Sequence, residues 1–331
     1  MKYITFTTLG VAMFWLVYRE QDFKAIWHTL SNDVNYTWVI VSLIFGLLSH
    51  ISRTLRWKIA LEPLDEHPRT LNAFIAVMSS YFMNLLLPRM GEFARCGLLA
   101  KYEKIPFSKL FGTVVTERII DMIMLLFMLL LAFVLQFDQI VQFGQNNPQV
   151  IENLQNILQS PLLWIALAGV ILALVLYIRI SKKRGKTNKI EAVLSDFASG
   201  IKSVLSMKRY KAYIAHTVFI WFMYYLMLYS VFFSFDFTSH LSPLAGLLTF
   251  VLASFGMVAP VQGGIGAWHF MVEKALGLYA IESTNGKIFA LLAHSSMNLM
   301  VVVCGAICLI LIPVINRHYH PVRNPNSTLD F

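Results

Sequence analysis

The chain has 331 residues, of which 57% are hydrophobic and only 14% charged, with a formal net charge of +9 and a mean hydropathy of +0.63. A soluble domain carries about 25% charged residues, so composition excludes an ordinary soluble protein and predicts an all-α polytopic membrane protein. The positive charge gathers in a few loops, as cytoplasmic loops do, so no nucleic acid is expected as a partner.

The first apolar segment, 3–18, follows Lys2 and has no small-residue cleavage site after it; Phe14, Trp15 and Tyr18 are bulky. It reads as a retained first span. The second, 38–60, carries Arg53, Arg56 and Lys58 near its end. The third, 71–87, runs into Leu87-Pro88-Arg89-Met90-Gly91-Glu92 and then an amphipathic stretch to about residue 105. A long span at 108–136 follows. Residues 137–161 contain no Lys or Arg and read as an outer loop. After a span at 162–180, the loop 179–211 is crowded with Lys and Arg and therefore cytoplasmic. Within it, Ile190, Val193, Leu194, Phe197 and Ile201 recur at helical spacing, predicting an interfacial amphipathic helix over 188–206. The span 210–234 leads to a second outer loop at 235–243. The segment 244–260 ends at Ala259-Pro260-Val261-Gln262-Gly263-Gly264 and is followed by another short amphipathic stretch to 280. A last span, 286–313, precedes a tail, 317–331, that Arg317 and Arg323 place inside.

Counting sides gives a conflict. The chain is inside near residue 65 and inside again near 106, where Lys101, Lys104 and Lys109 sit. It is outside near both 240 and 284. Two re-entrant hairpins resolve this, one at 71–105 facing the cytoplasm and one at 244–280 facing outward, since non-helical backbone at membrane depth is tolerated where protein buries it. About six full spans and two hairpins then divide into an inverted-topology repeat, 1–136 and 162–316, with both termini in the cytoplasm. Paired broken helices are a pointer to a transporter site. Eight plain spans are the alternative.

Ionisable residues inside apolar helices cost about 2.5–3.5 kcal/mol each on insertion scales and are functional candidates. Glu117, Arg118 and Asp121 lie two to three turns into the span after the first hairpin. Glu117 and Asp121 share a face, and Arg118 can reach Asp121 at i,i+3. Arg89, Glu92 and Arg95 at the first tip, with Arg53 and Arg56, complete a cluster suited to phosphate, because Arg forks bind phosphate in bidentate fashion. For Arg53 and Arg56 alone, snorkelling to the interface is the simpler role. In the second half, Gln262, His269, Glu273, His294 and Asn298 form a candidate second gate, with His269, Glu273 and His294 as a candidate proton relay. Pro88, Gly91, Pro260, Gly263 and Gly264 mark the tips. Cys96, Cys304 and Cys308 read as small buried hydrophobes; no metal site or cofactor is expected, and nucleotide-loop, zinc-protease and nucleophile-elbow patterns are absent.

Three runs carry a resemblance: Asn84-Leu-Leu-Leu-Pro88-Arg-Met-Gly91-Glu92-x-x-Arg95, Thr116-Glu117-Arg118-x-x-Asp121, and Pro260-x-x-Gly263-Gly264-x-Gly266. With Arg53-x-x-Arg56-Trp57, they resemble the flippase-like transmembrane domain of the lysylphosphatidylglycerol synthase/flippase family over almost the whole chain. The second run of glycines departs from the family pattern at His269, where relatives place an acidic residue. The resemblance implies translocation of a phosphate-bearing membrane lipid in the cytoplasmic membrane rather than lipid aminoacylation. Membrane lipids, and a separate lipid-synthesising enzyme, are the partners it implies. The competing reading is a membrane enzyme or accessory subunit acting on a lipid or a lipid-linked sugar.

Overall fold

A computed structural model of the chain describes residues 2–87, 90–146, 206–259 and 261–319 with few gaps, plus scattered positions between 148 and 204 and residue 321. All regular structure among the described residues is helical. The helices are α1 (Lys2–Tyr18), α2 (Phe23–Asn32), α3 (Tyr36–Leu61), α4 (Thr70–Leu86), α5 (Gly91–Glu103), α6 (Phe107–Leu135) and α7 (Phe137–Asn146), then α8 (Tyr210–Phe232), the single turn α9 (Asp236–Ser239), α10 (Pro243–Val258), α11 (Ala267–Gly277) and α12 (Ser283–Ile315). The predicted span 162–180 and amphipathic helix 188–206 lie almost wholly outside the described residues, as do Pro88, Arg89 and Pro260.

Local chemistry sets the helix starts. The Asp22 carboxylate accepts the Lys24 N–H at the start of α2, and Asn35 Oδ1 accepts the Thr37 N–H at the start of α3. Ser242 caps α10, with Pro243 in its first turn. These side chains satisfy N–H groups that a helix leaves unpaired. Sequence periodicity alone missed α2 and α7, because each is only ten residues long.

Four of the described helical stretches are long and apolar enough to cross a membrane: Tyr36–Leu64, Phe107–Leu135, Tyr210–Phe232 and Ser283–Ile315. Helix α1, expected as a full span, has 17 residues. On α6, Met122, Leu126, Leu130 and Val134 are exposed, and on α12 so are Leu299, Val303, Ile310 and Val314. Apolar faces of that extent suit hydrocarbon rather than water.

Where the hairpins were expected, two pairs of short helices fold back on themselves. Helices α4 and α10 have 17 and 16 residues, or about 25 Å at 1.5 Å per residue, short of the roughly 30 Å hydrocarbon core. Helix α4 turns back onto α5, and α10 onto α11. Close approach is set by glycine in both: a Cβ on Gly91 would overlap the Ser80 carbonyl oxygen, and one on Gly256 would lie 2.6 Å from Trp268 Cα. The two hairpins sit in matching surroundings. Helix α4 packs on α12 and α10 packs on α6; α5 packs on α6 and α11 packs on α12. Between them, α3 and α8 run against each other, tied by a 2.7 Å bond from Ser42 Oγ to the Met227 carbonyl. Helix α1 lies on α11: Tyr18 Oη donates to the Lys287 carbonyl at 2.9 Å, and the Phe14 and Tyr18 rings stand edge-on to His269.

The residues after α12 are pinned to the first hairpin. Asn316 and Asn72 exchange amide hydrogen bonds at 2.8 and 2.9 Å. The buried Glu103 carboxylate accepts from Asn72, the Arg69 N–H and Tyr319 Oη.

Candidate functional site

Near the end of α3, Arg53, Arg56 and Trp57 fall on one helical face, since positions three and four apart are neighbours. That face meets Glu117 and Asp121 of α6 and Arg95 of α5. Arg53 Nη1 lies 2.8 Å from Asp121 Oδ2, and Arg56 Nη1 lies 2.9 Å from Asp121 Oδ1. Glu117 receives Arg95 Nη1 at 2.6 Å on Oε2 and faces Arg56 Nε at 3.5 Å through Oε1. Arg56 therefore links both carboxylates. The side chains of Arg56 and Glu117 are 0% and 1% exposed, so this is a buried network within the bundle.

Helix α8 closes the cluster. Arg56 Nη1 donates to Thr217 Oγ1 at 3.2 Å, and its guanidinium lies over the Tyr213 ring. Arg53 lies over Tyr224, whose hydroxyl is 3.0 Å from that of Tyr81. On the other side, Arg95 stacks 3.7 Å above Trp57, and the Trp57 indole N–H donates to Thr113 Oγ1. Cation–π contact of this kind strengthens when it is desolvated.

Burying charges costs several kcal/mol per ion, and a well-packed apolar replacement is often more stable. A purely structural role is a poor explanation for three guanidiniums and two carboxylates in one apolar interior. The donors are also in excess. Among the described residues, Arg53 Nε, Arg56 Nη2, and Arg95 Nε and Nη2 are buried without a hydrogen-bond partner. Unpaired buried donors carry a desolvation penalty that a bound anion would relieve.

Two expectations are corrected here. Arg53 and Arg56 do not snorkel; both are buried and paired. Arg118 does not pair with Asp121. It meets Glu92 of α5 instead, at 2.8 Å, where its side chain is 48% exposed. The geometry thus separates a buried group (Arg53, Arg56, Arg95, Glu117, Asp121) from a more open Glu92–Arg118 pair beside it. Tyr213, Thr217 and Tyr224 were not singled out from sequence. Their signal is a stripe of polar groups on one face of an otherwise apolar helix.

The first tip is closed by the Gly91 N–H donating to Asn84 Oδ1 at 2.7 Å. The second tip needs glycine, because Gly263, Gly264 and Gly266 all take positive φ. The two tips meet: Gln262 Nε2 donates to the Leu86 carbonyl at 2.9 Å.

The second-half candidates take a different form from the one expected. His294 Nε2 lies 2.7 Å from the Gly263 carbonyl, which can only accept, so this nitrogen carries the hydrogen, and Nδ1 accepts from Asn298. His269 Nδ1 accepts the Gly266 N–H at 3.2 Å. Both imidazoles are engaged as neutral rings holding the second tip, with centroids 4.6 Å apart. Glu273 instead binds Ser283 Oγ and Lys274 Nζ, at 2.8 and 3.2 Å. No hydrogen bond joins it to either histidine among the described residues, so the proton relay is not assembled.

Among known proteins, a family model described as the lysylphosphatidylglycerol synthase TM region matches residues 4–305. The UPF0104 membrane protein MJ1595 of Methanocaldococcus jannaschii is 34% identical over 98 residues, which is 29% of each chain. The matched segment therefore spans less than a third of that relative. No solved structure matches.

Proposed function

We propose, from the premise that this chain belongs to the lysylphosphatidylglycerol synthase TM-region family, that it translocates a phosphate-bearing lipid headgroup between membrane leaflets. The observation that carries this reading is the buried Arg53–Arg56–Arg95 group, with guanidinium donors left unpaired beside Glu117 and Asp121. A phosphate could take up those donors in bidentate fashion. The carboxylates orient the guanidiniums while no anion is bound. Both carboxylates are held by Arg, which makes them poor general acids or bases and argues against a headgroup-modifying enzyme.

In this reading the two short helix pairs are re-entrant and belong to an inverted-topology repeat. The matching neighbours of α4 and α10, and the contact between the two tips, support that arrangement. The first pair opens to the cytoplasm, both chain termini lie on that side, and the protein resides in the cytoplasmic membrane. The Glu92–Arg118 pair stands at the cytoplasmic approach, with Arg89 near it in sequence. Gln262, with the tip held by His269 and His294, forms the second gate. A separate enzyme would supply the lipid.

The test is a leaflet-specific lipid assay in proteoliposomes. Asp121→Asn and Arg56→Gln should lower the rate of flipping of a phospholipid or a polyprenyl phosphate. Unchanged rates would remove the site assignment, and no flipping of any phosphate-bearing lipid by the unaltered protein would remove the function.

A further inference from the structure

The far end of α12 from Asn316 holds a cleft of about 500 Å³ between α1, α11 and the start of α12. That volume is within the roughly 300–1,000 Å³ of small-molecule sites. Helix α12 has 33 residues, about 50 Å at 1.5 Å per residue, so the cleft and the tail-anchoring Asn72–Asn316 contact lie at opposite ends of the bundle. The polar lining is Glu273, Lys274, Ser283 and Lys287; the apolar lining includes Leu16, Val17 and Phe270.

The polar groups are arranged. Glu273 is 7% exposed, and its Oε1 holds both Ser283 Oγ and Lys274 Nζ. Those two bonds fix a hydroxyl and an ammonium at the cleft. Lys287 has its backbone carbonyl tied to Tyr18 Oη, yet its ammonium makes no ion pair among the described residues. With one lysine matched by Glu273, the cleft keeps a surplus positive charge next to an apolar wall on α1. Leu16 is 57% exposed and Phe270 43%, which leaves room for a hydrocarbon chain.

We propose that this cleft binds a phosphate or phosphodiester anion carried on an amphiphile: Lys287 and Lys274 take the phosphate oxygens, and an acyl chain lies along Leu16, Val17 and Phe270. The cleft is a second headgroup site, separate from the Arg cluster and at the opposite membrane face. Its place as the other terminus of a lipid route rests on the translocase reading; the binding itself does not. Glu273 is a positioning residue, acting through Lys274 and Ser283.

The test is native mass spectrometry of the full chain in detergent, titrated separately with phosphatidylglycerol, with diacylglycerol of the same chains, and with inorganic phosphate. Lys274→Gln/Lys287→Gln should lose one bound phosphatidylglycerol, with affinity at that site falling about tenfold or more as the charge-assisted contacts go. Lys287→Arg should retain it. Diacylglycerol binding should be the same in both proteins, and inorganic phosphate should not compete at equal concentration. Lys274 is 60% exposed and Lys287 is at a cleft wall, so the double variant should fold; its thermal midpoint is measured alongside. Unchanged phosphatidylglycerol stoichiometry and affinity in the double variant would overturn the site. Equal loss of diacylglycerol would also overturn it, by reducing the contact to apolar packing, and so would displacement by inorganic phosphate, which would make it a free-anion site. Flipping is assayed in parallel. Lysine-dependent binding without flipping by the unaltered protein would leave this site standing and remove the translocase reading. Flipping with lysine-independent binding would remove this site alone.

Discussion

Arg95 stacks 3.7 Å above the Trp57 ring while its Nη1 meets Glu117 at 2.6 Å. The arginine is held from two sides, by an aromatic face and by a carboxylate, and neither contact can be made by a lysine in the same way. A planar fork is lost, and the ammonium is more strongly hydrated. Arg95→Lys should therefore slow flipping by about tenfold, although charge is conserved. Trp57→Phe keeps a ring under Arg95 but loses the bond to Thr113 and some volume at a fully buried site, so it should cost at least about 1 kcal/mol of stability and leave flipping closer to normal. Proteoliposome rates and thermal midpoints of the two variants check the ranking. Equal damage from both would remove the stacking argument.

Asp121 bridges Arg53 and Arg56. Removing it leaves the buried Arg53 without its counter-ion and Arg56 with only its 3.5 Å contact to Glu117, and breaking such a pair costs about 3–5 kcal/mol. Asp121→Asn should lower the thermal midpoint sharply. Arg53→Leu combined with Asp121→Leu should cost less than the two single changes added together, since an apolar pair replaces an ion pair. A double-mutant cycle with no coupling would contradict the bridge.

Gly91 faces the Ser80 carbonyl with no space for a methyl group, whereas a methyl group on Gly97, on the same helix, would meet nothing within 4 Å. Gly91→Ala should destabilise the first hairpin by at least about 1 kcal/mol, in the range of small-to-large changes in packed sites. Gly97→Ala should be neutral or stabilising, because alanine is the better helix former by about 1 kcal/mol. Thermal unfolding of the two single variants in one detergent decides it.

Gln262 reaches across 176 positions of chain to the Leu86 carbonyl. Because the tips meet, a Leu86→Cys/Gln262→Cys protein with Cys96, Cys304 and Cys308 replaced by Ala should form an intramolecular crosslink with a short bifunctional reagent. Absence of crosslinking in both detergent and liposomes would place the tips apart.

Much of this arrangement could be read in the chain, for physical reasons that differ from residue to residue. The hairpin turns were visible because a proline and a glycine three positions apart interrupt an apolar run, and few other devices do that. Glu117 and Asp121 were visible because charge inside an apolar helix is costly wherever it falls. Which partner each would choose was not. Helical spacing allowed Arg118 to reach Asp121, but Arg53 and Arg56 arrive from another helix and occupy both of its oxygens. Arg118 was left to Glu92. The histidines were read as proton carriers from their chemistry alone; the carbonyl of Gly263 and the N–H of Gly266, which engage them, come from a turn whose shape no spacing rule specifies. The Asn72–Asn316 contact and the Tyr319–Glu103 contact beside it join residues more than 200 positions apart, and nothing local in the sequence pairs them.

The buried group has three guanidiniums against two carboxylates, and the Glu92–Arg118 pair beside it is balanced. Empty, it holds one elementary charge of excess. A membrane potential acts on such a charge with about 2.3 kcal/mol per 100 mV across the full bilayer. A phosphodiester with a single negative charge brings the same group to neutrality. Reorientation of the loaded site would then be indifferent to voltage, while return of the empty site would be driven in one direction by a potential that is negative inside. For the translocation proposed above, that one unmatched arginine would place the voltage-dependent step on the return of the empty site, while the overall electrical bias would be that of moving the anionic lipid itself.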